Sequence, residues 1–312
     1  MENYKKAQLI MQNINSVIVG KEEIVKLVVV ALLAQGHLLL EDVPGIGKTT
    51  IANSLAKSLD CEFSRIQFTP DTLPSDVTGT SVYNMQTGKF EFVKGSVMSN
   101  IVLADEINRT SPKTQASLLE AMEEHQVTAD GNTYILESPF MVIATQNPID
   151  YLGTYNLPEA QLDRFLMRLS IGYPSLDNEQ KMAAQFIEGI SKENLNAVVS
   201  KLEVAQMQDE VKNIKVNKDV VSYIVNIIDE TRKNEFISLG ASPRATLALI
   251  RASQSLAYTE GRQFVLPDDV KKMSRYVLSH RVVLSMEAKI NKMDISNIVN
   301  SIVSKVKVPI YK

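Results

Sequence analysis

Cysteine is nearly absent from this chain: Cys61 stands alone among 312 residues. One thiol excludes an intrachain disulfide and suits a reducing compartment. Its expected role is that of a small buried hydrophobe at the start of a strand. Long hydrophobic runs are also missing. The longest, Leu27 to Ala34, falls well short of the roughly 20 apolar residues that a membrane-spanning helix needs. The N-terminal MENYKKAQLI lacks the apolar core of a secretion signal, so a cytoplasmic protein is expected. Histidine is scarce, and His37, His125 and His280 form no ligand-spaced cluster, so no zinc site is expected. An excess of charge is lacking too. A net charge of −3 offers no general attraction to nucleic acid or to an anionic membrane. What remains is an ordinary globular composition, 45% hydrophobic and 22% charged, long enough for one large or two modest domains.

Against that background one stretch is highly informative: Leu38-Leu39-Leu40-Glu41-Asp42-Val43-Pro44-Gly45-Ile46-Gly47-Lys48-Thr49-Thr50. An apolar run breaks into a Pro/Gly turn, and Gly-Lys-Thr then opens a helical segment. Strand, glycine turn and helix N-terminus in that order make a phosphate cradle, because loop N–H groups and the helix dipole both favour an anion. Residues Pro44 to Thr50 would wrap the phosphates. Lys48 would reach the outer ones, and the Thr49 hydroxyl would ligate a magnesium ion. The usual pattern has glycine where this chain has Asp42. An ordinary strand-to-helix turn is the plain alternative, and Gly-x-Gly-Lys-Thr directly after an apolar strand argues against it.

A second stretch supports the first. Ile101-Val102-Leu103-Ala104-Asp105-Glu106 is an apolar strand ending in two acids. Many strands end in a solvated acid pair. Beside a phosphate loop, however, Asp105 can hold the magnesium shell and Glu106 can accept the proton that an attacking water sheds. The doubled acid favours hydrolysis over binding alone.

Up to about Pro174 short apolar strands alternate with helical patterns, which predicts an α/β domain with a parallel sheet covered by helices. The expected strands are His37–Glu41, Glu62–Ile66, Ile101–Ala104, Phe140–Thr145 and Phe165–Ile171. Their continuous apolar character suits strands buried on both faces. Two hairpins are also expected, one from Ser81 to Val93 and one from Gln126 to Tyr134. The Asp130-Gly131 turn of the second puts Val127 opposite Tyr134. Such hairpins are either decoration or surfaces for a partner. After Pro174 the strands are expected to stop. Val221, Ile224, Val225 and Ile228 read as one helical face, Ala245, Ala248, Leu249, Ala252 and Leu256 as another, and Ile295 to Val306 as a last stripe. Ser242-Pro243 reads as an N-cap and first helical residue. Pro267-Asp268-Asp269 opens a further helix with acids in its first turn. The division is therefore expected as 1–174, nucleotide-binding, and 175–312, a small helical domain.

With these motifs placed, the chain resembles the MoxR branch of the AAA+ ATPases over nearly its whole length. The most specific segment runs from Ala104-Asp105-Glu106-Ile107-Asn108-Arg109 to Leu119-Glu120-Ala121-Met122-Glu123-Glu124. Asp42 also occurs in the phosphate loops of that family. The resemblance implies an AAA+ P-loop NTPase core with hairpin insertions and a C-terminal all-α lid, using ATP and Mg2+. It implies that Asn147, in Ala144-Thr145-Gln146-Asn147-Pro148, is the polar sensor 1 residue; alone, Asn-Pro reads as a turn. It implies that Arg164, in Leu157-Pro158-Glu159-Ala160-Gln161-Leu162-Asp163-Arg164-Phe165, is an arginine finger supplied to a neighbouring subunit, where a surface Asp-Arg pair is the alternative. Arg244, in Gly240-Ala241-Ser242-Pro243-Arg244, corresponds to sensor 2 and is expected to touch the terminal phosphate of its own chain. A cation at a helix start is disfavoured by the dipole, which supports a functional reading. Val19-Gly20 resembles the stretch lining the adenine pocket, where Gly20 is otherwise a turn before a helix. The family also implies a homo-oligomeric ring, commonly a hexamer. It implies a chaperone-like role on partner proteins, among them proteins with von Willebrand factor A domains.

Three other readings compete. A GTPase is suggested by Asn291-Lys292-Met293-Asp294 and by Asp76-Val77-Thr78-Gly79, both short patterns. The first lies outside the sheet, and Asp294 reads better as a helix N-cap. An ATP-dependent scaffold with little turnover is opposed by the intact Lys48, Asp105, Glu106, Asn147 and Arg164. A DNA-associated AAA+ motor is disfavoured by the acidic balance and by the lack of a recognisable DNA-binding module.

Overall fold

The computed structural model describes residues 3–43, 45–146, 154–189 and 195–309. Its strands in chain order are β1 (Leu38–Glu41), β2 (Phe63–Gln67), β3 (Gly79–Asn84), β4 (Lys89–Lys94), β5 (Ile101–Asp105), β6 (Gln126–Ala129), β7 (Asn132–Ile135), β8 (Met141–Gln146), β9 (Met167–Leu169), β10 (Ile237–Leu239) and β11 (Val283–Leu284). Five of them form a wholly parallel sheet in the order β2-β5-β8-β1-β9. Because side chains alternate along a strand, β1, β5 and β8 each feed two cores. Leu38, Leu40, Ile101, Leu103, Met141 and Ile143 enter the larger core, beneath the N-terminal helices and the lid helices. Leu39, Val102, Ala104, Val142 and Ala144 enter a smaller one, against the helix Pro112–Glu124. Both faces of β1, β5 and β8 are buried, as expected from their apolar runs, whereas β2 at the sheet edge leaves Arg65 and Gln67 exposed.

The last sheet strand is shorter than the expected span Phe165–Ile171. Phe165 is buried in the turn before it, and beyond it Ile171 gives its N–H to the Asp42 carboxylate instead of a ladder. Both hairpins form. Tyr83 faces Phe90 across β3 and β4, and Val127 faces Tyr134 across β6 and β7. They dock on each other: Phe92 stacks on Tyr134 with ring centroids 3.9 Å apart, and the Ser81 N–H donates to Asp130 Oδ2 at 3.0 Å.

The region after Pro174 is helical, with two corrections. Strands do not stop entirely, since β10 and β11 pair antiparallel. A second correction concerns the helix Lys218–Lys233. It buries Val220, Tyr223, Ile224, Ile227 and Ile228, while Val225 is exposed, so the apolar face lies one position from the expected one. The faces of Pro243–Thr259 and Ile295–Lys305 lie as expected, and the Asp294 side chain accepts from the Asn297 N–H at 2.8 Å as an N-cap. That geometry removes Asp294 from any guanine-reading role.

Candidate nucleotide-binding site

The carboxyl ends of β1, β5 and β8 open onto one cavity of about 380 Å³. Crevices at this end of parallel strands are where ligands bind in open α/β sheets. After β1 the chain turns through Gly45 and Gly47, with φ of +85° and +92°. A side chain is strained at such angles, and a Cβ at either position meets nothing within 4 Å, so the loop backbone lies open to the cavity. Gly47 is the N-cap of the helix Lys48–Ser58, whose first-turn N–H groups and dipole favour an anion. Lys48, Thr49 and Thr50 line the cavity with both glycines, and Ile46 packs back against the larger core. Pro44 lies outside the described residues.

Lys48 donates from Nζ to the Asp42 carbonyl at 2.6 Å. Burial pulls its ammonium below the ordinary lysine range, and Asp42, Asp105 and Glu106 oppose that pull. Asp42 itself is a clamp. Its carboxylate accepts from the Ser170 hydroxyl at 2.9 Å and from the N–H groups of Ile171 and Gly172. The residue that departs from the phosphate-loop pattern therefore ties the loop to the segment leaving β9.

The two acids are held by residues that the sequence reading passed over. Thr145, at the end of β8, donates its hydroxyl to Asp105 Oδ1 at 2.6 Å and accepts from the Glu106 N–H at 2.8 Å. Arg65 reaches Asp105 Oδ2 at 2.6 Å from β2. Glu106 turns away from the strand at φ +58°, and its Oε2 accepts from Gln67 Nε2 at 3.1 Å and Arg109 Nη1 at 2.8 Å. The available signal was polar residues at strand ends: Arg65 and Gln67 close β2 as Thr145 and Gln146 close β8. A basic loop, a hydroxyl and two carboxylates on one cavity fit a polyphosphate with its divalent ion. Lys48 would hold the phosphates, and Thr49 and Asp105 the metal.

Val19 and Gly20 are not among the residues lining this cavity. Gly20 has φ +68°, and a Cβ there would collide with Asn178 at the start of the helix Leu176–Ile187. Next to it Lys21 donates from Nζ to the carbonyls of Ile171, Gly172 and Tyr173 at 2.7–3.1 Å. The turn thus packs against the same linker that Asp42 clamps. Asn147 lies outside the described residues.

The two arginines stand together, away from Lys48. Arg164 pairs with Glu123 Oε2 at 3.1 Å, and Arg244 pairs with the other oxygen of the same carboxylate. Both line a second cavity with His37, Glu123 and Arg281, and neither is among the residues around Lys48. Arg244, expected at the terminal phosphate of its own chain, is not among the residues lining the cavity around Lys48; it shares a bay with Arg164. Glu123 sits in the last turn of its helix, where the dipole disfavours an anion, and the two guanidinium groups offset that. Among the described residues no helix is long and apolar enough to cross a membrane.

Comparison with known proteins agrees with this geometry. Residues 37–167 match the ATPase family associated with various cellular activities (AAA), and residues 229–302 match the AAA lid domain. The chain is 50% identical over 302 residues to the uncharacterized protein YeaC of Bacillus subtilis, across 97% of this chain and 94% of that one. It is 39% identical over 305 residues to the chaperone MoxR1 of Mycobacterium tuberculosis, across 95% of this chain and 80% of the relative. A crystal structure of a candidate ATPase from Cytophaga hutchinsonii superposes with a TM-score of 0.92 at 37% identity, covering 98% of this chain and 96% of the other. Matched across 95% of its length by a MoxR relative at 39% identity, with AAA and AAA lid domains in sequence, the chain belongs to the MoxR family of AAA+ ATPases.

Proposed function

We propose that this protein hydrolyses Mg-ATP in a homo-oligomeric ring, a hexamer by family resemblance, and couples turnover to remodelling or activation of a partner protein. The observation that carries the ATPase reading is the convergence of Lys48, Thr49, Asp105 and Glu106 on one cavity. In this reading residues 1–174 bind the nucleotide and residues 175–312 form the lid. When bound, magnesium would neutralise developing phosphate charge. The loop N–H groups and Lys48 bind and orient the phosphates, and Asp105 is fixed for the metal by Thr145 and Arg65. Glu106 accepts the proton of the attacking water, with Gln67 and Arg109 setting its carboxylate. Asn147 is proposed to orient that water and Val19-Gly20 to border the base.

Arg164 and Arg244 stand together on Glu123, apart from Lys48, and we assign both to the nucleotide of a neighbouring subunit. The chaperone role comes from the name of the Mycobacterium relative, and proteins with von Willebrand factor A domains are the partner class that the family implies. The paired hairpins, with Met85 and Phe90 exposed near the tip of the first, are the proposed contact surface, and the cytoplasm is the proposed compartment.

Phosphate release and nucleotide affinity measured together test the ATPase reading. Glu106→Gln should keep affinity and lower turnover by about 100-fold or more, because the amide preserves shape and removes the proton acceptor. Lys48→Ala should lose affinity instead. Near-normal turnover in Glu106→Gln would remove Glu106 as the base. A wild-type protein that binds ATP but releases no phosphate once assembled would be a scaffold.

A further inference from the structure

Asp163 immediately precedes the finger Arg164, and the lid holds both of its carboxylate oxygens. Arg281 donates from Nε to Oδ1 at 2.6 Å, and the Ser242 hydroxyl donates to Oδ2 at 2.7 Å. Ser242 occupies the N-cap of the helix Pro243–Thr259, yet its side chain makes no capping bond. A serine in that place ordinarily accepts from its own helix; here the hydroxyl is committed to Asp163.

Arg281 spends its remaining donors largely on the same segment. Nη2 donates to the carbonyls of Asp163 and Phe165 at 3.0 and 2.6 Å, and Nη1 to that of Leu166 at 3.0 Å. Its side chain is 2% exposed. A guanidinium shut off from water must place its N–H groups on protein acceptors, and a buried ion pair is weakly screened by salt. The finger segment is therefore fastened to the lid through backbone and side chain alike. Arg244 lies two residues beyond Ser242, so Asp163 connects the helix start bearing one arginine to the turn bearing the other. Glu123 then receives both guanidinium groups.

We propose that Asp163, gripped by Arg281 and Ser242, is a positioning residue that locks the finger segment to the lid, so that Arg164 and Arg244 reach a neighbouring nucleotide as one rigid pair. This rests on the assignment of both arginines to a neighbouring subunit. Asp163 itself touches neither nucleotide nor reacting atoms; it acts through the arginines beside it.

Mixed assemblies of full-length variants test this. Asp163→Asn should lower kcat about tenfold or more, while KM for ATP and nucleotide affinity stay within about threefold, because its own phosphate cavity is untouched. Mixed with Glu106→Gln, it should regain activity, since the Glu106→Gln subunit supplies an intact finger. Mixed with Arg164→Ala, it should regain none, since every interface then receives a defective finger. Recovery with Arg164→Ala would place the lesion in the subunit's own site and overturn the inference, as would an unchanged kcat in Asp163→Asn. Arg164→Ala mixed with Glu106→Gln is the separate control. If that pair fails to recover despite proven subunit mixing, the neighbour assignment falls and this inference with it. If that pair recovers and Asp163→Asn with Glu106→Gln does not, only the role of Asp163 falls. Should Asp163→Asn fail to assemble, Ser242→Ala carries the test, because it removes one hydrogen bond and no cap. It should show a kcat loss of about threefold or more with the same mixing pattern, and an unchanged kcat would overturn the inference.

Discussion

Asp42 stands where phosphate loops usually have glycine, and it binds the loop from two directions. Its carbonyl accepts from Lys48, while its carboxylate, in a residue 8% exposed, accepts from Ser170, Ile171 and Gly172. Restoring glycine would leave the N–H groups of Ile171, which is buried, and Gly172, which is half-buried, without their partner. Asp42→Gly should therefore destabilise the protein by about 1–3 kcal/mol and weaken ATP binding, through a linker freed from the loop. Denaturant midpoints with and without Mg-ATP check this. An unchanged midpoint would mean that the clamp contributes nothing. Read as a sequence, Asp42 was only a deviation from a pattern, because its partners lie about 130 residues away. Lys48, Thr49, Asp105 and Glu106 were legible since their chemistry is local to a loop and a strand end. Thr145, Arg65, Gln67 and Glu123 were not, because each matters only through a neighbour supplied by another strand or helix.

At the scale of elements, the hairpins show the same division between local and distant information. Their turns and registers follow from Gly-containing turns and from alternation along the strands, so Val127 opposite Tyr134 could be read directly. Their docking could not, since the Phe92–Tyr134 stack joins residues from separate hairpins. The lid helix Lys218–Lys233 shows how a helical face can be misplaced by one position: Val220 and Val221 both suit an apolar stripe, and only packing chooses Val220. The short Met167–Leu169 strand was overextended for a related reason. Apolar continuity marks burial, but Ile171 spends its N–H on Asp42 and leaves the ladder. The stack itself is testable. Tyr134→Ala should cost about 1 kcal/mol beyond lost burial and loosen β3–β4 as a unit. Hydrogen exchange across residues 79–94 should rise while exchange in β5 and β8 stays as in the wild type. Equal protection in both proteins would show that the hairpin stands without its neighbour.

The whole molecule keeps two imidazoles neutral in its interior, one before the first sheet strand and one in the lid. His37 accepts from the Val142 N–H at Nδ1 and donates from Nε2 to the Met122 carbonyl, both at 3.0 Å. A proton added at Nδ1 would point at another donor. Burial pushes His37 down to about 4; the Met122 bond opposes this and His125 adds to it. His280 is pushed the same way by burial and by the adjacent Arg281. The unfolded chain titrates histidine at about 6.5, so it binds more protons than the native state between that pH and about 4. The stability that His37 contributes is therefore fully present above pH 6.5 and is lost as the pH falls toward 4. Between pH 7 and 4.5 this loss should be about 2 kcal/mol for His37 alone. Because carboxylates also titrate there, the measurement is a difference. Wild type and His37→Gln are unfolded in denaturant at both pH values, and the variant's decline should be smaller by about that amount. His37→Gln starts from lower stability at pH 7, but only the change with pH reports the proton. The same decline in both proteins would show that His37 is not kept neutral by the fold.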